Sequence, residues 1–250
     1  PSEIVAQNSR LTHAASGNPT GPSFFEQGAD LEWRSSDFNA EGTPGPRAAT
    51  CQYCHVPELD QDGATISAVL SKTPSTGLTP RTPIGRHLFV GGNAQILSVM
   101  ADWTSWTGSA TASSELLDAA ERAKASLASA ATLTIAKAQR SGASAEIDVT
   151  VENRTGHKFP TGYPARRAWI HLRATQNGKV VHQSGRADDY GRIVDASGRA
   201  LDDRDTVRLH LDKVDSDAQA QIYELVPGDS SGKVARSLLD ASQVLKDDRL

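Results

Sequence analysis

The clearest hydrophobic period in the chain lies between Ser113 and Ala131. Leu116, Ala120, Ala123, Leu127 and Ala131 recur at three- and four-residue intervals, and Leu117 widens the stripe. That spacing lines one face of a helix. Ser113 or Ser114 is placed to cap it, and Glu115 puts a negative charge in the first turn, where the helix dipole favours one. A second helix is predicted over Asn93–Trp103, with Ile96, Leu97 and Met100 on one face. A short third helix is predicted within Phe24–Phe38, where Phe25, Leu31, Trp33 and Phe38 turn inward. Thr43-Pro44-Gly45-Pro46 breaks regular structure after it.

Past residue 131 the period changes from helical to alternating. Leu133 and Ile135, then Ile147, Val149 and Val151 beyond Ser141-Gly142, predict the two strands of a hairpin. Trp169, Ile170 and Leu172 read as another strand. Asn177-Gly178 is a strong tight-turn signal and leads into Val180-Val181. Val207, Leu209 and Leu211 alternate again, Gln221–Val226 supplies a last strand, and Ala235–Leu245 reads as helical. Several short strands with turn signals between them predict a β-sandwich of about 100 residues. No internal repeat is evident.

Residues 1–50 and 51–92 carry few periodic runs, and segments so irregular are hard to order around a small apolar core alone. Within them sits Cys51-Gln52-Tyr53-Cys54-His55, and these are the only two cysteines of the 250 residues. This is the signature of c-type haem attachment. Two thiols add across the two porphyrin vinyl groups, a two-residue gap presents both sulfurs to one edge, and the next residue brings an imidazole under the iron. That imidazole needs its other nitrogen bonded to a carbonyl or water to hold its orientation. Structural zinc wants four ligands, and there is no second CxxC. A redox dithiol normally opens a helix in a thioredoxin-like unit, against loop-rich surroundings here. A disulfide between the two would close a very small loop. The cofactor expected is one covalent haem c, held by Cys51, Cys54 and His55. The fold class expected is α+β: a loop-rich and helical c-type haem region over residues 1–131, then an antiparallel β-sandwich-like domain over 132–250 with a C-terminal helix.

The sixth ligand is open between several residues. His87 lies between Gly85-Arg86 and Leu88-Phe89-Val90-Gly91-Gly92, where small residues allow close backbone approach. His157, in Gly156-His157-Lys158-Phe159-Pro160, sits at a strand-to-loop corner of the kind that carries ligands. Met100, His13 or an open site are the alternatives; His171, His182 and His210 fall on strands and read as structural. Asp188-Asp189 and Asp202-Asp203 could supply calcium oxygens, but solvated turns explain them better.

The formal net charge is -4, with both signs interspersed. Nucleic acid, which needs a concentrated cationic face, is therefore not expected as a partner. No segment has the roughly 20 apolar residues of a membrane helix. Pro1 is not a natural initiator, so the sequence is expected to be processed, truncated or part of a longer polypeptide.

Longer strings extend the haem motif. LEWRSSDF (31–38), CQYCHVP (51–57), HLFVGGN (87–93), NRTGHKFPTGYPARRAW (153–169), QIYE (221–224) and KDDRL (246–250) occur in that order. In them the chain resembles the multihaem cytochrome c family related to the cytochrome c-552/c-554 group. The resemblance implies a periplasmic or extracellular electron carrier, often with bis-histidine haems and a β-rich C-terminal domain, working with a redox partner protein or other cytochrome subunits. Family members usually carry further CxxCH motifs upstream, and this chain has one, so His13, His87 or His157 could serve another haem. The expected function is outer-sphere electron transfer. A haem enzyme with an open distal site, or a β-sandwich binding module with an accessory haem, are the rival readings.

Overall fold

The computed structural model describes residues 28–60, 62–69, 78–86, 90–201 and 205–250, and shows an α+β protein with antiparallel strands. The chain divides into two compact units, residues 36–156, and residues 1–35 together with 157–250. The division differs from a boundary at 131/132, because the first hairpin goes with the helices.

The 36–156 unit contains helices α2 (Cys51–His55), α3 (Ala94–Asp102), α4 (Thr104–Thr107) and α5 (Ser113–Ser129), then strands β1 (Ala131–Ser141) and β2 (Ser144–Asn153). Its core forms where α3 meets α5, through Ala94, Ala120, Ala123 and the half-buried Leu97. Alanines let two helix backbones approach closely. This contact turns Ala94, Leu97 and Ala101 inward, so Ile96, expected in the core, is exposed instead. Leu117 and Leu127 of α5 are also exposed. The α5 cap is Ala112 rather than Ser113 or Ser114: the Glu115 carboxylate accepts the Ala112 N–H at 3.3 Å. Ser113 Oγ donates to the Ala101 carbonyl at 2.8 Å, tying the start of α5 to the end of α3. Strands β1 and β2 pair antiparallel from Ala131↔Asn153 to Ser141↔Ser144, with a register shift between Ile135 and Lys137. This hairpin is the one the alternation predicts.

The other unit holds α1 (Ala29–Arg34) and strands β3 (Arg167–Trp169), β4 (Leu172–Gln176), β5 (Lys179–Ser184), β6 (Arg186–Ala187), β7 (Ile193–Val194), β8 (Ile222–Gly228) and β9 (Gln243–Asp247). They form one three-stranded sheet, β3-β8-β9, and the two-stranded pairs β4-β5 and β6-β7. These sheets are smaller than those of an immunoglobulin-type sandwich. Asn177-Gly178 makes the β4–β5 turn as expected, with φ of 50° and 76°. The single strand read through Trp169–Leu172 is split between two sheets at Ile170, whose N–H goes to the Gln221 carbonyl. Ile193, Leu201 and Ile222 form one buried cluster, with Trp169 and Ala220 packed against it, and Ala235 and Ala241 form another with Leu225 and Leu238.

Two sequence expectations fail here. Val207–Leu211 is not a strand: the Leu211 N–H is taken by the Gln221 side-chain oxygen, and Leu209 is exposed. Ala235–Leu245 is not a helix. Ser237 Oγ accepts the Leu239 N–H at 3.1 Å and its carbonyl accepts the Asp240 N–H at 3.0 Å, closing a local turn. Side-chain bonds of this kind compete with helix, and the chain then pairs with β8 as β9.

Among the described residues one local device recurs four times and carries no hydrophobic period. In Asp-x-x-Gly-x at 60–64, 188–192, 195–199 and 229–233, the Asp Oδ1 accepts the N–H groups two and four residues on, at 2.8–3.0 Å. The glycine N–H returns to the Asp carbonyl, and the glycine has a φ of 74° to 88° in every copy. Only glycine adopts that conformation readily. The hydroxyls of Ser197 and Ser231, first among several donors, hold the Asp195 and Asp229 carboxyls below their ordinary range. Asp188 is thus a turn residue, bonded also to the Arg192 guanidinium at 2.8 Å. Asp202 and Asp203 lie outside the described residues.

Candidate haem-attachment site

Thr50 caps α2, its Oγ1 accepting the Tyr53 N–H at 3.3 Å. Cys51 and Cys54 therefore stand three apart on one helical turn, a spacing that puts both side chains on the same side. Both are exposed and unbonded to each other. Burial, and then the neighbouring Cys51, raises the Cys54 thiol above its usual value.

His55 closes the turn, and its Nδ1 lies 3.0 Å from the Val90 carbonyl. A carbonyl only accepts, so this bond places the ring proton on Nδ1 and makes Nε2 the nitrogen suited to a metal. The Val90 segment is drawn to the motif at two further points. Arg86 donates its N–H to the Pro57 carbonyl at 2.9 Å. Gly85 meets Val56 so closely that a Cβ there would fall 2.6 Å from Val56 Cγ1. His87 itself, with Leu88 and Phe89, lies outside the described residues, as does His13; the residues on both sides of His87 are tied to CQYCHVP.

His157 opens the run 157–250 of the other unit, half-buried, with Nδ1 3.0 Å from the Lys158 carbonyl. The same argument assigns the proton to Nδ1. The structure thus brings Cys51, Cys54 and His55 together in one unit and places His157 in the other. Met100 is half-buried on α3. His171 pairs with Gln183 at 2.9 Å and His210 with Gln221 at 2.8 Å, in keeping with structural roles.

Around the His157 loop lies an ion-pair network absent from the sequence reading. Arg249 reaches Glu32 Oε1 at 2.7 Å and clasps Asp247 with two bonds of 2.8 and 3.0 Å. Lys158 Nζ reaches Asp247 at 2.8 Å, its N–H donates to Glu32 Oε2 at 3.2 Å, and Thr161 Oγ1 donates to the same oxygen. Phe159 and Leu250 exchange both backbone bonds. Burial alone would raise the Asp247 carboxyl, but the bonds from Arg249 and Lys158 pull it down to about 2. The adjacent Asp248 accepts from the Glu224 N–H at 2.9 Å, and Lys246 donates to the Ile222 carbonyl at 2.9 Å. The strings LEWR, GHKFPTG, QIYE and KDDRL, scattered through the sequence, therefore meet in one polar cluster. Their order along the chain was the only signal available.

No group of three or more His, Cys, Asp or Glu side chains suited to a bare metal ion occurs among the described residues. Porphyrin iron does not need one, since the protein supplies only its axial ligands. Comparison with protein-family models, with curated proteins and with solved structures returns no match.

Proposed function

We propose that the chain is a c-type cytochrome of the multihaem type, carrying one haem c through thioethers to Cys51 and Cys54 with His55 as the proximal ligand. The observation that carries this is the CQYCH turn, with both sulfurs on one side and the His55 Nδ1–H anchored on the Val90 carbonyl. The anchor meets the needs of a proximal ligand: it fixes the tautomer, orients the ring and raises the basicity of Nε2. The haem, when bound, supplies a one-electron ferrous/ferric couple. The described apolar core of the 36–156 unit is small. The described buried hydrophobics of the 36–156 unit are Ala94, Ala101, Leu116, Ala120 and Ala123, a single large side chain among alanines. Covalent haem would enlarge that core.

His87, which lies outside the described residues, and His157 stand as the candidates for the sixth ligand. Two imidazoles would give a lower potential than a His/Met pair. The electron passes by outer-sphere transfer to a redox partner protein or to other cytochrome subunits, in the periplasm or outside the cell. No helix among the described residues is long and apolar enough to cross a membrane. The β-rich unit is the counterpart of the β-rich C-terminal domain that the resemblance implies.

Visible spectroscopy and potentiometry on the purified protein test the reading. A c-type haem spectrum, a negative potential and no rapid reaction with carbon monoxide are expected. Rapid carbon monoxide binding to the native protein would point instead to an open-site haem enzyme.

A further inference from the structure

His55 is gripped twice within the 36–156 unit. Its ring is held by Val90, the Nδ1 proton going to that carbonyl at 3.0 Å. Its backbone is held through Val56, whose N–H closes the last bond of α2 on the Gln52 carbonyl at 2.8 Å. Val56 in turn lies against Gly85. A Cβ on Gly85 would fall 2.6 Å from Val56 Cγ1 and 3.0 Å from the Val56 carbonyl oxygen. Only a residue without a side chain fits that approach.

We infer that Gly85 is a positioning residue for the proximal imidazole. By admitting Val56 so closely, it seats the CQYCH turn where His55 meets the Val90 carbonyl at full hydrogen-bond strength, and so holds the haem potential down. The inference rests on the cytochrome reading above.

The segment that carries Gly85 has little room to retreat. The Ile84 N–H donates to the Ile66 carbonyl at 3.0 Å and the Arg86 N–H to the Pro57 carbonyl at 2.9 Å. Ile66 is itself tied to the Glu58 carbonyl at 2.8 Å, and Ala68 and Arg81 exchange both backbone bonds at 3.2 and 3.0 Å. Gly85 is thus bracketed by backbone bonds on either side. Carbon–carbon contacts settle at about 3.5–4.0 Å, so a Cβ at position 85 demands about 1 Å of relief. The Val56 methyls turn only between a few stiff rotamers, and its carbonyl does not turn away at all. The displacement therefore falls on Val56 and on the turn bonded to it. The His55 bond has little slack to absorb it. N–H···O bonds run from about 2.7 to 3.2 Å, so a few tenths of an ångström reaching the ring would carry this one past the range. The effect on the iron follows. An imidazole whose Nδ1 proton is bound to a carbonyl is more basic at Nε2, and a more basic axial ligand favours the ferric state. Partners of metal-bound histidines are worth about 10–100-fold. For a bond loosened rather than removed the lower figure applies, and a tenfold change in a one-electron couple is about 59 mV.

Potentiometry of the holoprotein, with NMR of the His55 ring N–H in the reduced form, tests the inference. Gly85→Ala should raise the midpoint potential by about 59 mV and speed exchange of the ring proton with water about tenfold. In Gly85→Ala combined with Val56→Ala the added methyl takes the space that Cγ1 leaves, and both readouts should return towards wild type. Gly45→Ala, where a Cβ would meet nothing within 4 Å, should move neither. A glycine needed only for packing would lower the urea midpoint of Gly85→Ala while potential and ring-proton exchange stayed at wild-type values, and that result overturns the inference. So does a double variant that keeps the potential of the single one. Should Gly85→Ala fail to accumulate as holoprotein, Val56→Ala alone decides: the gap it leaves should loosen the turn and speed the ring-proton exchange, and unchanged exchange overturns the inference. A colourless protein with both thiols free defeats the cytochrome reading itself; a coloured one whose potential ignores Gly85→Ala defeats only the role of Gly85.

Discussion

Replacing Arg249 by Met removes the guanidinium that joins Glu32 to Asp247 while keeping much of the aliphatic stem. Arg249 and Glu32 side chains are only 8% and 10% exposed and 2.7 Å apart. Taking one partner from a buried pair strands the other charge, at a cost of about 3–5 kcal/mol. Glu32 keeps the Lys158 N–H and Thr161 hydroxyl, so the lower end of that range, about 3 kcal/mol, is expected. The pH dependence gives an independent check. The Asp247 carboxyl sits at about 2 against an ordinary 3.8. A depressed carboxylate stabilises the fold fully above its unfolded value and loses that contribution as pH falls through the folded one. The window is therefore between about pH 4 and pH 2. The shift corresponds to roughly 2 kcal/mol, and partial exposure of Asp247 reduces this to about 1–2 kcal/mol. Urea denaturation of the holoprotein, followed by circular dichroism at steps across that window, measures both. Arg249→Met should lower the midpoint at neutral pH and flatten the acid slope, leaving only the Lys158 share. In a double-mutant cycle with Glu32→Gln the coupling should exceed about 1 kcal/mol. A loss under about 0.5 kcal/mol with the wild-type acid slope would refute the claim that this network secures the His157 loop and the 246–250 strand end.

Gly185→Ala should cost about 3 kcal/mol or more in denaturant midpoint, since φ is +69° and a Cβ would fall 2.2 Å from the Ile170 carbonyl oxygen; wild-type stability would show that the backbone there moves freely. Asp195→Ala should cost about 2 kcal/mol, because Oδ1 accepts from Ser197 N–H, Ser197 Oγ and Arg199 N–H. Asp195→Asn, which keeps an acceptor, should lose about half as much, and equal losses would show that the turn depends on charge alone.

What the sequence made legible was local. The α5 helix, the β1–β2 hairpin and the Asn177-Gly178 turn each occupy one short window and all three formed, although of the α5 stripe only Leu116, Ala120 and Ala123 are buried. The errors came where a neighbour overrode the window. Leu238, Leu239 and Leu245 have helical spacing, but Ser237 diverts the backbone and β8 recruits the rest as β9. The alternation from Val207 to Leu211 yields to the Gln221 side chain. Ile96 faced outward because alanines, which carry little hydrophobic signal, make the α3–α5 contact. The four Asp-x-x-Gly turns escaped notice because their repeat is polar. At the proposed site, Cys51, Cys54 and His55 stand within five consecutive residues and share one helical turn. The carbonyl expected behind His55 proved to be Val90, 35 residues on, which no spacing rule identifies. Glu32 and Arg249 are 217 residues apart, beyond any periodicity.

The central claim is that both cysteine sulfurs are thioether-bonded to one haem. Intact mass of the denatured protein before and after treatment with a thiol-alkylating reagent tests it most directly. The account predicts the chain mass plus a single haem, unchanged by the reagent, because neither Cys51 nor Cys54 retains a thiol. The bare chain mass, rising by two alkyl groups, would contradict it.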